Sequence, residues 1–302
     1  MTDYENNLMK KIEEKRRQLE SIRKSKQEQR DAEKEEKAIT NPNFSMHKLG
    51  RLILSADENF YMAPLHSYDL AWDMLVHTHK VKSNGKDKLA HTICTDQFED
   101  GSCELCKTYE KLLESNSKNA WEFNSRHVKA MVMYIYNTIG SKRTFTGESG
   151  DQVTYYLNPV QVVEIPADGK GKDCILSLFE TYDQDSMFIS KIWAVRRKAG
   201  TKDARGITRG GGYEPAKTVK EDQLLEALGK EGISAALPEY TKQWVDKIKG
   251  TYKSSKTKAK DEVLRYILTS FDNGEQIAKY MKVELPQKDV KDEKNANDLL
   301  KA

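Results

Sequence analysis

Three of the four cysteines in this 302-residue chain are Cys94, Cys103 and Cys106. No other feature constrains the fold as strongly. Cys103-Glu104-Leu105-Cys106 is a Cys-x-x-Cys pair, which lets two thiolates point at one centre from a tight turn. Cys94, with His91 three residues before it, offers a second pair across a short loop. The set His91, Cys94, Cys103 and Cys106 predicts one tetrahedral zinc ion, ~2.3 Å from sulfur and ~2.0 Å from nitrogen. Protein fills all four positions, so the zinc is expected to be structural; a catalytic zinc keeps a position free. His77 and His79 are also near, and either can replace His91. A redox reading of the Cys-x-x-Cys pair needs a thioredoxin-like strand and helix around it. That setting is missing from the sequence pattern, and the redox reading leaves Cys94 and His91 unexplained. Cys174, beside Ile175 and Leu176, reads as a small buried apolar residue.

The rest of the composition places the core in the middle of the chain. Hydrophobic residues make up 37% and charged residues 32%, more polar than a compact domain of this size. The excess charge collects at the ends and in a few internal stretches. No apolar run is long enough to span a bilayer. The opening MTDYENNLMKK has no apolar stretch of the secretory kind, so a cytoplasmic protein without membrane partners is expected. Clustered cysteines in a reducing compartment favour a metal over disulfides.

Hydrophobic periodicity divides the chain into four parts. Residues 1–40 read as a charged helical arm, its basic stretch including Arg16, Arg17, Arg23, Lys24 and Lys26, ended by Asn41-Pro42-Asn43. Residues 41–218 read as a strand-rich core, with the zinc subdomain at about 77–116. Within it, 49–62 reads as short strands and 67–76 carries Trp72 and Leu75 at helical spacing. A helix is expected at 104–116. The stretch 128–137 is apolar on both alternating faces, as in a central strand. Further strands are expected at 152–157, 160–165 and 187–197, with a short helix at 174–182 and a Gly-rich basic loop at 200–213. Residues 219–282 read as helical, at 220–229, 239–249 and 260–282, with a basic linker KGTYKSSKTKAK between the last two. Residues 283–302 read as a polar, disordered tail.

Binding to single-stranded nucleic acid needs cations for phosphates and flat rings for bases. The sequence interleaves them: Tyr134 and Tyr136 with Lys142 and Arg143, then Tyr155 and Tyr156. One face of 187–197 carries Lys191, Trp193 and Arg197. The 191–217 stretch, with Arg196, Lys198, Arg205 and Arg209, has eight Lys/Arg against Asp203 and Glu214. Against this, tyrosines are common in half-buried strands, and a basic loop can be merely solvated.

The order of these parts resembles the zinc-containing single-stranded DNA-binding (helix-destabilising) proteins of T-even-like tailed bacteriophages. The likeness covers roughly residues 45–215. Its most specific part is His91, Cys94 and Cys103-Glu-Leu-Cys106, followed by Tyr109 and Leu112-Leu113. The resemblance implies an OB-fold-like β-barrel core with an embedded zinc ribbon. Flanked by the N-terminal charged helix and the C-terminal helices read from periodicity, it gives an expected α+β chain, in which the helical region 219–282 has no counterpart in the family. It implies coating and protection of unpaired DNA during phage replication, recombination and repair in the cytoplasm of an infected bacterium. Self-association along the strand and contacts with phage replication and recombination proteins follow as expected partnerships. In this family the histidine can lie much further upstream than His91 does. The arm motif for cooperativity is matched only by Arg23-Lys24-Ser25-Lys26, and the tail has five acidic and four basic residues rather than a strongly acidic run.

An enzyme is not expected. The chain has no His-Glu-x-x-His, no P-loop and no Gly-x-Ser-x-Gly, and a closed zinc site offers no activated water. The remaining alternative is a zinc-containing protein-interaction or transcription-associated adaptor, RNA binders included.

Overall fold

A computed structural model describes residues 49–52, 57–83, 86–99, 101–146, 152–167, 191–202, 208–209, 212–214, 217–229 and 234–286. The arm with Arg16, Arg17, Arg23, Lys24 and Lys26 lies outside these residues. So do Cys174, the 174–182 helix, Arg205 and most of the tail.

The doubly apolar stretch forms β5 (Ser125–Ile135), and it is central, as its pattern requires. It pairs antiparallel with β2 (Asn59–Pro64), β3 (Trp72–Ser83) and β8 (Val160–Pro166). β3 continues into a hairpin with β4 (Lys86–Ile93). β1 (Gly50–Leu52) adds to β8 in parallel. β9 (Ile192–Lys198) pairs with β2 and carries β12 (Gly212–Tyr213) and β13 (Lys217–Val219). These nine strands form one sheet. Two ribbons stand apart from it: β6 (Lys142–Thr146) with β7 (Gln152–Tyr156), and β10 (Thr201–Lys202) with β11 (Thr208–Arg209). Among the described residues the sheet does not close into a barrel, because β1 pairs only with β8 and β4 only with β3. The architecture is mixed α+β.

Among the described residues five α-helices accompany the sheet: α1 (Glu104–Glu114), α2 (Glu221–Leu228), α3 (Glu239–Ser254), α4 (Lys256–Leu268) and α5 (Gly274–Met281). The last four supply one side of the main core. Trp244, Val245, Ile248, Val263, Leu264, Ile267 and Ile277 pack with Met74, Val76, Val128, Ala130 and Val132 of the sheet. The helical region therefore shares a core with the strands. The opposite sheet face buries Phe60, Met62, Met131, Met133, Val163, Trp193 and Val195.

Three local expectations change. The 67–76 stretch is a short 3-10 turn (Tyr68–Leu70) followed by β3. Trp72, Met74 and Val76 alternate there with Asp73, Leu75 and His77, a period of two that outweighs the helical spacing of two residues. The linker between α3 and α4 shrinks to Ser255, whose Oγ accepts the Lys258 N–H at 3.3 Å. Lysines and threonines are no barrier to a solvated helix. The single helix expected at 260–282 breaks at Thr269–Asn273. A Cβ at Gly274 would overlap the Leu268 carbonyl, so this turn requires glycine.

His66 is completely buried. Its Nδ1–H donates to the Ser67 carbonyl at 2.9 Å, and its Nε2 accepts the Val132 N–H at 3.0 Å. Both nitrogens are thus committed in the neutral ring. Burial pushes its pKa from 6.5 down to about 4. As pH falls through this window the unfolded chain takes up a proton that the folded chain refuses, so stability is complete above 6.5 and drains away toward 4. At ~1.4 kcal/mol per pKa unit the loss reaches roughly 3 kcal/mol. Urea midpoints measured from pH 7 to pH 4 should fall steeply, and His66→Asn should flatten that slope.

Candidate metal centre

The β3–β4 register decides which histidine meets the cysteines. His77 lies opposite Thr92, and Thr78 lies opposite His91. Cross-strand partners share a face, while successive residues alternate. His77 and His91 therefore point to opposite faces of the hairpin. His91 is on the helix face. Its Nδ1 lies 3.0 Å from Thr78 Oγ1, and its backbone N–H donates to Asp272 Oδ2 at 2.7 Å. The expected assignment of His91 to the metal set is thus corrected: the structure brings His77 to the cysteines instead. His79 lies on the same face as His77 but outside the cluster.

His77, Cys94, Cys103 and Cys106 offer four ligand atoms, all within 4.8 Å of one another. Cys94 Sγ and Cys106 Sγ are 3.4 Å apart, and His77 Nε2 is 3.3 Å from Cys103 Sγ and 3.5 Å from Cys106 Sγ. A tetrahedron with the zinc bond lengths above has edges of about 3.5–3.8 Å, so the spacing fits one ion. His77 and Cys94 are fully buried. This group could hold one metal ion.

Each ligand is fixed by its surroundings. His77 Nδ1–H donates to the Phe123 carbonyl at 2.9 Å, which sets the tautomer and leaves the Nε2 lone pair for the sulfurs. Phe123 belongs to a 3-10 turn, Ala120–Phe123, packed beside β3. The Cys94 N–H donates to the Leu75 carbonyl at 2.8 Å, and Gln97 spans Leu75 and Cys94 with its side-chain amide. The Cys103 N–H donates to Asp96 Oδ1 at 2.6 Å. A Cβ at Gly101 would overlap the Thr95 carbonyl, so the loop between the cysteines needs glycine there. Cys103 sits at the N-cap of α1, which carries Cys106 on its first turn.

The electrostatics ask for a cation. Burial raises the Cys94 and Cys106 thiols above their ordinary range, and the neighbouring sulfur of Cys103 adds to it. Burial lowers His77. Three thiolates in this space repel one another unless a positive ion sits among them, and a bound ion reverses that balance.

The helical core is tied to this centre. Asp272 and Asn273, in the turn between α4 and α5, bond the backbone of His91 and Ile93 at 2.7–2.9 Å. They cover the free edge of β4.

The expected nucleic-acid residues divide. Tyr134 and Tyr136 are 2% and 1% exposed, and Trp193 is 1% exposed. The Tyr136 hydroxyl donates to the Ala235 carbonyl at 2.9 Å. These three rings are core: Tyr134 lies on the doubly covered β5, Tyr136 in the 3-10 turn (Tyr136–Thr138) that follows it, and Trp193 on the buried face of β9, so none can stack a base. Lys191 and Arg196 are half-buried, while Lys142, Arg197 and Lys198 are exposed. Lys198 pairs with Glu214 at 2.8 Å. Arg143, Tyr155, Tyr156 and Arg209 are placed by their backbone on the two ribbons.

No protein-family model, curated protein or solved structure matches this chain. Its class therefore rests on its own geometry: an α+β protein with a His/Cys₃ cluster able to hold a metal. No helix among the described residues is long and apolar enough to cross a membrane.

Proposed function

We propose that this chain is a zinc-containing, non-enzymatic protein that binds single-stranded DNA. Three sulfurs and one imidazole at tetrahedral spacing suit zinc, and with no open position the ion is structural. One observation carries the DNA reading. The strand registers set a cation opposite a tyrosine three times: Lys142 with Tyr156, Arg143 with Tyr155, and Arg197 with Tyr213. Strand pairs that set phosphate-seeking and base-stacking residues at adjacent positions, two on the β6–β7 ribbon and one at the β9–β12 edge of the sheet, supply both needs of a single-strand binder. The open sheet then acts as an OB-type platform. Coating of unpaired phage DNA, self-association along it and recruitment of replication partners belong to the same proposal and draw on the resemblance alone.

Anisotropy of a labelled thymidine oligomer tests the proposal. Three neutralised phosphates at a slope of about −0.7 each predict a roughly tenfold to twentyfold loss of affinity for a fourfold rise in salt. Arg143→Ala and Arg197→Ala should each lower that slope by about one unit or less. Equal affinity for duplex, or indifference to salt, would defeat the reading.

A further inference from the structure

Helix α1 has an apolar stripe yet contributes no buried residue. Tyr109 and Leu113 lie on it at i and i+4. Tyr109 meets the Trp121 ring at a centroid distance of 6.2 Å. Trp121 is 70% exposed and Leu113 45%, an unusual display for such side chains. Both elements are stitched to the metal centre, α1 through Cys103 and Cys106 and the 3-10 turn through the Phe123 carbonyl. Loading that centre with its ion would fix both elements under the rings, which would lower the entropic cost of docking.

The charge around them selects the partner. From Asp96 to Glu122 the chain carries seven acidic residues against three lysines, and Lys107 is already paired with Glu104 at 2.8 Å. Glu110, Glu114 and Glu122 are exposed beside the rings. This sign repels phosphates, the opposite of the basic strands proposed for DNA. It attracts a cationic segment.

We infer that the Trp121 surface is a docking site for a basic, amphipathic helical segment of another protein. Trp121 and Leu113 bury against its apolar stripe, and Glu110, Glu114 and Glu122 engage its lysines or arginines.

The test uses the full zinc-loaded chain and a labelled lysine–leucine peptide of about 14 residues in helical spacing, with a glutamate–leucine peptide as counterpart. The lysine peptide should bind, shift the Trp121 indole N–H resonance, and lose affinity about tenfold or more on Trp121→Ser. Glu110→Lys with Glu114→Lys should act in the same direction. Both changes lie on the surface, so the fold tolerates them. Equal binding of the two peptides, an unmoved indole signal, or movement of that signal by a thymidine oligomer in place of the peptide would overturn the inference. A chain that binds this peptide but no thymidine oligomer would sink the DNA reading and leave the docking site standing.

Discussion

His77→Ala should weaken zinc binding by more than about 100-fold, beyond the range for outer-shell partners, whereas His91→Ala should leave it essentially unchanged. The difference comes from strand alternation. His77 Nε2 lies among the sulfurs at 3.3–3.5 Å, while His91 faces the helices and meets Thr78. Losing the imidazole removes a direct ligand and leaves three crowded thiolates with an incomplete tetrahedron. Metal binding in such modules is also folding free energy. The 3-10 turn and α1 should therefore loosen in His77→Ala, seen as faster amide exchange over 103–123. Competition with a chromophoric chelator gives the affinities. Equal losses in the two variants, or a larger loss in His91→Ala, would refute the assignment.

Glu164→Ala is expected to be the most destabilising single change away from the metal. Its side chain is 3% exposed and accepts from Arg51 Nη1 at 2.8 Å and Arg126 Nη2 at 2.9 Å. Arg51 is itself 7% exposed along its side chain. Burial lowers its pKa, and Glu164 opposes that shift. Removing the carboxylate strands a buried guanidinium, a loss of about 3–5 kcal/mol. Arg126 suffers less, because it reaches solvent and also donates to Thr78 Oγ1 at 3.2 Å. Pairing Arg51→Met with Glu164→Leu should recover much of the loss, since an apolar pair of similar volume replaces a buried ion pair at little cost. Urea unfolding at neutral pH measures each variant. A loss under about 1 kcal/mol for Glu164→Ala would show that the pair is weakly coupled to folding.

The clustering of the three cysteines and the helix that begins after Cys103 could be read directly from the sequence, because Cys-x-x-Cys is a local geometric device. The central position of β5 was equally legible, since two apolar faces need two covers. The fourth member of the cluster was not, because sequence distance does not report register: His91 is three residues from Cys94 and His77 is 17, yet the hairpin inverts their order of approach. The alternation of 72–77 held the signal that favoured His77 once the hairpin was placed. Tyr134, Tyr136 and Trp193 misled for a related reason. An aromatic residue on a strand looks the same whether its face meets water or another layer, and only the packing of α2–α5 and the second sheet face settles that. The exposed Trp121 gave no signal at all, since nothing in its sequence neighbourhood reports that the helix beside it contributes no buried residue to a core.

X-ray absorption at the zinc edge of the purified chain tests the central claim most directly. The account predicts one zinc per chain with three sulfur neighbours at ~2.3 Å and one nitrogen at ~2.0 Å. A chain without metal, a coordinated water oxygen, or a Cys94–Cys106 disulfide in its place would contradict it.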